Sequence, residues 1–410
     1  MWRQILLLIG ACGLLGCQQH AADSGRDSHH GSRKPVTHID NRLVEADNRF
    51  GFELFSELTR PDPTQNVFIS PASVALALTM TYNGAAGETQ TAMAEALELA
   101  GMSRDEINAA NADLLALLAD PDPKVRLAIA NSLWAREGVA FDSAFLARNQ
   151  EFFAAEIHAL NFGDPQAAAT INAWVSEKTE ERIEKIVTPP INPLTVLFLI
   201  NAIYFKGTWT YEFDPAKTRG AAFHFADGRE GMMPFMTQSG EYRYLARRGF
   251  QAVCLPYGSK RWGMYVFLPD PQAGLDSLLS KLDSDHWQEW MSGFQEQEGT
   301  ITLPRFRLEY EESLNGALQA LGMGIAFSDA ADFSAMTRPP HLSLAITEVK
   351  HKTFLEVNEE GTEAAAVTSV EVGVTSFGPF VMRVDRPFFC AIRDDSTGVV
   401  LFMGAVNEPK

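Results

Sequence analysis

The sequence predicts an α+β fold built as one large cooperative unit. Helix-period apolar patterns gather in the first half of the chain and strand-like apolar runs in the second. No internal repeat and no obvious linker interrupts the chain after residue 42. Of the 410 residues, 46% are hydrophobic and 21% charged, which is enough apolar content for a large core.

The N-terminus, "MWRQILLLIGACGLLGC", carries one positive charge at Arg3 and then an apolar run from Ile5. That run is too short to span a bilayer and reads as a signal peptide, residues 1–17. "LLGC" resembles the bacterial lipobox, whose cysteine, here Cys17, is acylated and becomes the new N-terminus. "IGAC" at Cys12 is a weaker rival, and a plain secretory cut nearby is the alternative. Gln18 and Gln19 after the cysteine favour sorting to the outer membrane. The expected location is therefore outside the cytoplasm, lipid-anchored to a bacterial cell envelope or extracellular. Residues 18–42 are polar and aperiodic, a flexible tether. His20, His29, His30 and His38 fall in or beside it with nothing to fix a ligand geometry, so no metal site and no cofactor is expected.

The body, residues 43–410, opens with "NRLVEADNRFGFELF", which sets Leu43, Phe50, Leu54 and Phe55 near one helical face. "NVFISPASVALALTM" reads as a short strand, then Ser70 as N-cap and Pro71 at the first helical position. The helix Ala72 to Met80 is apolar on nearly every side and should be central and buried. Breaks at Gly84 and Gly87 start another helix, and further helices fit Arg104 to Leu118 and Pro165 to Ile186. Val196 to Phe205 is a continuous apolar strand, interrupted by Asn201, and should be covered on both faces. Strands then follow in "GFQAVCLPYG", "WGMYVFLPD", "GTITLPRFRLEY", "LAITEVKHKTFLEVNEE", "PFVMRVDRPFFCAI" and "GVVLFMGAV". Of four cysteines, only Cys254 and Cys390 lie in the body; both sit in apolar runs and read as buried thiols, a pairing after export being left open.

The formal net charge is -18. An acidic surface repels phosphate backbones and anionic lipid, which argues against nucleic acid, against a heparin-like activator, and against membrane contact other than through a lipid anchor. No Gly-x-Ser-x-Gly, Ser-x-x-Lys, His-Glu-x-x-His, Walker loop or Cys-x-x-Cys occurs, so no catalytic residue is expected and the chain is not read as an enzyme. A monomer is expected.

The stretch "EEGTEAAAVTSVEVGVTSFGPF" from Glu359 has another logic. At period two from Thr362, the alternate positions Thr362, Ala364, Ala366, Thr368, Val370, Val372 and Val374 are uncharged and small or β-branched. The opposite face carries Glu363, Ser369, Glu371 and Gly373. Ala364, Ala365 and Ala366 would favour helix if left alone. Such a segment suits a loop in one state and a strand with one buried face in another.

Six blocks in order now resemble one family, the serpins, over about residues 43–408. They are "NVFISPASVALALTMTYNGAAGET", "INAWVSEKTEERIEKI", "LINAIYFKGTWTYEFDPAKT", "LPRFRLEYEESLNGALQALGM", "EVNEEGTEAAAVTS", and "DRPFFCAIRDD" with "VLFMGAVNEP". The resemblance implies three β-sheets, eight or nine helices and an exposed reactive-centre loop at about 359–384. It also implies a metastable state and suicide inhibition of a serine protease. A target protease attacks the loop, forms an ester, and is trapped when the cleaved loop inserts into the main sheet. Alternate loop positions must then tolerate burial, and the uncharged face does. Insertion of Thr362 to Thr375 would add ladder bonds and bury valines, a gain on the order of ten kcal/mol. That strand would reach roughly 45 Å.

Carried over residue by residue, the resemblance implies a hinge at Glu359, Gly361, Thr362, Ala364, Ala365 and Ala366. It implies a shutter of Ser70, Asn201 and His351 under the main sheet, and a breach at Trp209 and Arg305, with Arg305 paired to Glu359. Counted from Gly361 the scissile bond is Thr375–Ser376; counted back from Pro387 and Phe388 it is Ser376–Phe377. Val372, Val374 and Phe377 flank it. No Lys or Arg lies between Lys352 and Arg383, so trypsin-like targets lack an anchor and elastase-like or subtilisin-like proteases fit best. A papain-like cysteine protease is a further partner compatible with Val at the second upstream position. The alternative function is a non-inhibitory serpin acting as a carrier or binding protein.

Overall fold

The computed structural model describes residues 39–119, 122–338, 343–362 and 379–410. Its first helix, α1 (Asn41–Thr59), starts at Asp40, whose carboxylate accepts the Arg42 N–H at 3.0 Å. Leu43, Phe50, Leu54 and Phe55 are all buried on it, as the periodicity predicts. After β1 (Val67–Ile69), Ser70 caps α2 (Pro71–Tyr82), with Pro71 in the first turn. Every residue of α2 but Ala77 is buried, so it is the central helix expected. α3 (Gly87–Ala96) and α4 (Arg104–Leu118) follow, the latter opened by a reciprocal Ser103–Glu106 capping box.

The next stretch alternates. β2 (Val125–Arg136), α5 (Ser143–Phe153), β3 (Glu156–Leu160), α6 (Ala167–Lys178) and β4 (Leu197–Thr208) place β2 between β3, parallel, and β4, antiparallel. α6 packs on β2 and β4, joining Ile171 and Trp174 to Trp134, Ile200 and Ala202 in one apolar cluster. The helix expected over Pro165 to Ile186 is therefore shorter than predicted. Glu180 and Glu181 adopt positive φ of 49° and 64°, and the Asn172 side chain takes the backbone N–H groups of Ile186 and Val187, holding them out of helical pairing. The strand expected to be covered on both faces is so only in part. Ile200 and Ala202 lie under α6, and Ile203 and Phe205 in the main core, whereas Leu197, Phe198 and Leu199 are half-buried.

From β5 (Arg219–His224) and β6 (Glu230–Arg247) the chain runs through β7 (Phe250–Tyr257), β8 (Trp262–Pro269), α7 (Gly274–Leu279), α8 (Ser284–Ser292), β9 (Gln295–Pro304) and β10 (Phe306–Ser313). α9 (Asn315–Ala320) precedes β11 (Lys350–Val357) and the two-residue β12 (Gly361–Thr362). β13 (Phe380–Arg383), β14 (Phe388–Asp394) and β15 (Val400–Val406) close the chain. The strand expected from Leu344 begins only at Lys350, because the Asn315 side chain occupies the Thr347 carbonyl and the Val349 N–H.

Among the described residues there are nine α-helices and three hydrogen-bonded sheets, in the α+β class expected. The largest sheet orders β1-β15-β14-β8-β7-β6-β9-β13, with β5 on β6. The other two are β12-β4-β2-β3 and the pair β10-β11. Cys254 and Cys390 are free and buried, on β7 and β14 with β8 between them. Two ladder spacings of roughly 4.8 Å exceed the reach of a disulfide.

Candidate functional site

The site of interest is where β11 ends. Glu359 and Glu360 form a tight turn closed by reciprocal backbone bonds between Asn358 and Gly361, at 2.9 and 3.3 Å. The Asn358 side chain also accepts the N–H groups of Glu360 and Gly361. The chain thereby reverses, and β12 lies antiparallel on β4, Gly361 opposite Thr208 and Thr362 opposite Gly207. β4 and β11 themselves do not pair with each other. Gly361 and Thr362 are thus two residues of a short strand laid against β4.

Glycine is required at 361 twice over. Its φ is +148°, and a Cβ there would stand 2.1 Å from the Gly207 carbonyl oxygen. Thr362, next along, is buried, and its hydroxyl meets that of Tyr257 at 2.7 Å. Burial drives the Tyr257 phenol well above its usual pKa, so it stays a neutral hydrogen-bonding group.

Trp209 secures the turn. Its backbone N–H donates to the Glu360 carbonyl at 2.9 Å and its indole N–H to the Asn358 carbonyl at 3.0 Å. Its ring stacks on Tyr257, with centroids 4.3 Å apart and planes 11° from parallel. Phe213 donates its N–H to the Glu359 carbonyl at 2.8 Å. Glu359 is buried, 8% exposed overall; its carboxylate accepts the Thr218 hydroxyl at 2.7 Å and pairs with Arg305 at 3.4 Å. Arg305 is half-exposed, so this contact draws more on the Thr218 bond and burial than on the ion pair.

Ser70, Asn201 and His351 come together through residues the sequence reading did not single out. The Ser70 N–H donates to His351 Nε2 at 3.0 Å, so that nitrogen is unprotonated. Ser70 Oγ accepts the Ser73 N–H at 3.3 Å, and the Ser73 hydroxyl donates to Asn201 Oδ1. Asn201 Nδ2 donates to Asn131 Oδ1 at 2.6 Å, and Asn131 Nδ2 to the Phe153 carbonyl at 2.7 Å. One polar chain therefore runs from β11, through the start of α2, to β4 and β2. Nearby, Thr353 of β11 donates its hydroxyl to the Phe68 carbonyl. His351 is buried, and desolvation lowers its pKa to about 4. Asn131 lies directly opposite Asn201 in register, and an Asn inside each of two paired strands was the signal available in the sequence.

Ala364, Ala365, Ala366, Val372, Val374, Thr375, Ser376, Phe377 and Cys17 lie outside the described residues. Among the described residues no helix is long and apolar enough to cross a membrane.

Residues 45–409 match the family model Serpin (serine protease inhibitor). Iripin-2 of Ixodes ricinus is 34% identical over 384 residues, covering 90% of this chain and 94% of its own. The native state of tengpin, a thermophilic serpin, superposes with a TM-score of 0.83 at 31% identity, covering 90% of this chain and 95% of tengpin. Human thyroxine-binding globulin, solved in complex with thyroxine, superposes with a TM-score of 0.81 at 28% identity, covering 90% of this chain and 98% of its own. With a family match from residue 45 to residue 409 and a thermophilic serpin superposing over 90% of its length, the chain belongs to the serpin family of serine protease inhibitors.

Proposed function

We propose that this serpin is inhibitory and acts as a suicide substrate of elastase-like or subtilisin-like serine proteases. The observation that carries the reading is the placement of Gly361 and Thr362. They already pair with β4 in the antiparallel sense an entering strand needs, while β4 and β11 do not pair with each other. After attack at Thr375–Ser376 or Ser376–Phe377, the rest of the loop continues down that edge, with Thr362, Ala364, Ala366 and the following uncharged positions on the buried face. Small residues before either bond, and Val372 and Val374 upstream, suit a shallow apolar specificity pocket. We further read Cys17 as a lipidation point holding the inhibitor on a bacterial envelope.

Denaturing electrophoresis after incubation with pancreatic elastase tests the reading. An inhibitor leaves a covalent complex that survives boiling. The likeness to thyroxine-binding globulin supports a second reading, a carrier, which would leave only a nicked band. Complex formation with papain but not elastase would move the target to cysteine proteases. Metabolic labelling with palmitate, lost on Cys17→Ser, tests the anchor.

A further inference from the structure

Alternation along the reactive loop accounts for Ala364 and Ala366, which face inward when the loop enters the sheet, but not for Ala365 between them. A reason lies in the turn that follows α6. Glu180 and Glu181 take positive φ of 49° and 64°. The Glu181 N–H donates to the Ser176 carbonyl at 2.8 Å and the Arg182 N–H to the Thr179 carbonyl at 3.0 Å, which fixes this backbone. From here Glu180 reaches two strands, pairing with Arg126 of β2 and accepting the phenol of Tyr204 on β4. Two residues on, the Arg182 guanidinium lies over the ring of Phe354 on β11, 5.1 Å from its centroid. Arg307 of β10 lies 4.8 Å from the same ring. Residues 180–182 therefore form a strap from β4 to β11, strands that among the described residues do not pair with each other.

Two registers converge beneath the strap. Thr362 stands opposite Gly207, so an antiparallel strand continuing along β4 sets its third further residue opposite Tyr204. The Asn358–Gly361 turn makes Val357 of β11 the counterpart of Thr362, and the same third residue then faces Phe354. In the sequence that residue is Ala365. Tyr204 alternates with Ile203 and Phe205, and Phe354 with Leu355, all three of which belong to the main core. The rung between Tyr204 and Phe354 therefore turns its side chain outward, toward the strap.

Resting on the inhibitory reading above, we propose that Arg182 is a positioning residue for loop entry. Its hold on Phe354 keeps the strap across the rung between Tyr204 and Phe354, so the outward side chain entering there must be small. The strap sets a size limit at a position where alternation alone sets none.

The moles of inhibitor consumed per mole of elastase, read by titration and denaturing electrophoresis, test the proposal. Ala365→Leu should raise this number about fivefold or more, and Ala365→Ser should leave it unchanged. Adding Arg182→Ala to Ala365→Leu should restore it to within about twofold of wild type, a rescue that a merely structural role would not give. Wild-type stoichiometry in Ala365→Leu, or no rescue by Arg182→Ala, would overturn the proposal. If the wild-type chain leaves only a nicked band, the inhibitory reading itself fails, and the strap is tested on nicked chains. A rise in Tm on nicking that Ala365→Leu diminishes and Arg182→Ala restores would support the strap; an equal change in all of them would overturn it.

Discussion

The hydroxyls of Tyr257 and Thr362 meet at 2.7 Å in a buried position, joining core strand β7 to β12. The bond ties β12 to the core that also stacks Trp209. Removing both hydroxyls should differ from removing either. In a double-mutant cycle of Tyr257→Phe and Thr362→Val, a coupling of about 1 kcal/mol in unfolding free energy is expected. Additive single effects in urea titrations would show that the pair does not act as a unit.

Gly361→Ala forces a Cβ into the Gly207 carbonyl at a φ that other residues rarely adopt. A destabilisation of about 1–3 kcal/mol is expected, or else release of Gly361 and Thr362 from β4. Thermal unfolding measures the first outcome. Amide exchange at Thr208 and Thr362 measures the second, and wild-type behaviour in both would contradict the close approach.

His351 supplies a pH dependence. Its folded pKa is about 4, below the ordinary value of about 6.5, so between those values the unfolded chain binds the extra proton. The stability held in the neutral imidazole is complete above about pH 6.5 and is lost as pH falls toward about 4, by up to about 3 kcal/mol. Asp47 works in the opposite sense: burial raises its carboxyl to about 7, so its contribution is lost as pH rises from about 4 to about 7. The wild-type profile should therefore be shallow. Subtracting a His351→Gln profile from it, by chemical denaturation at each pH, should leave a difference rising from pH 4 to 6.5. A flat difference would refute the assignment.

Ala366→Arg places a charge on the face that must be buried as the loop enters. Partition should shift from trapped complex to cleaved product, raising the moles of inhibitor consumed per mole of elastase by about tenfold or more. Unchanged stoichiometry would defeat the alternation argument for this loop.

How much of this was legible in the sequence depends on the range of the forces involved. α1, α2 and α4, with the Ser70 and Pro71 start, rest on periodicity and capping within a few residues, and they were readable. β2 and β6 were not, because Arg126 and the buried Asn131 and Ser132 in β2, and Gln238, Ser239 and Glu241 in β6, blur the alternation. Ser70, Asn201 and His351 were readable only through family resemblance. Their actual contact runs through Ser73 and Asn131, joined by bonds spanning up to 281 residues of sequence, as between Ser70 and His351. Tyr257 and Thr362 are 105 residues apart, and neither hydroxyl announces the other.

Among the described residues β4 and β11 do not pair with each other, which has a consequence for handling the protein. Main-chain donors and acceptors along the edge of a strand do not distinguish their own chain from a neighbour's. A ribbon offered by a second molecule satisfies them as well as the intramolecular one, and mild heating at high concentration lowers the cost of the exchange. Storage cold and dilute should preserve single molecules, whereas warming should thread them into strings whose links are the segment that follows Thr362.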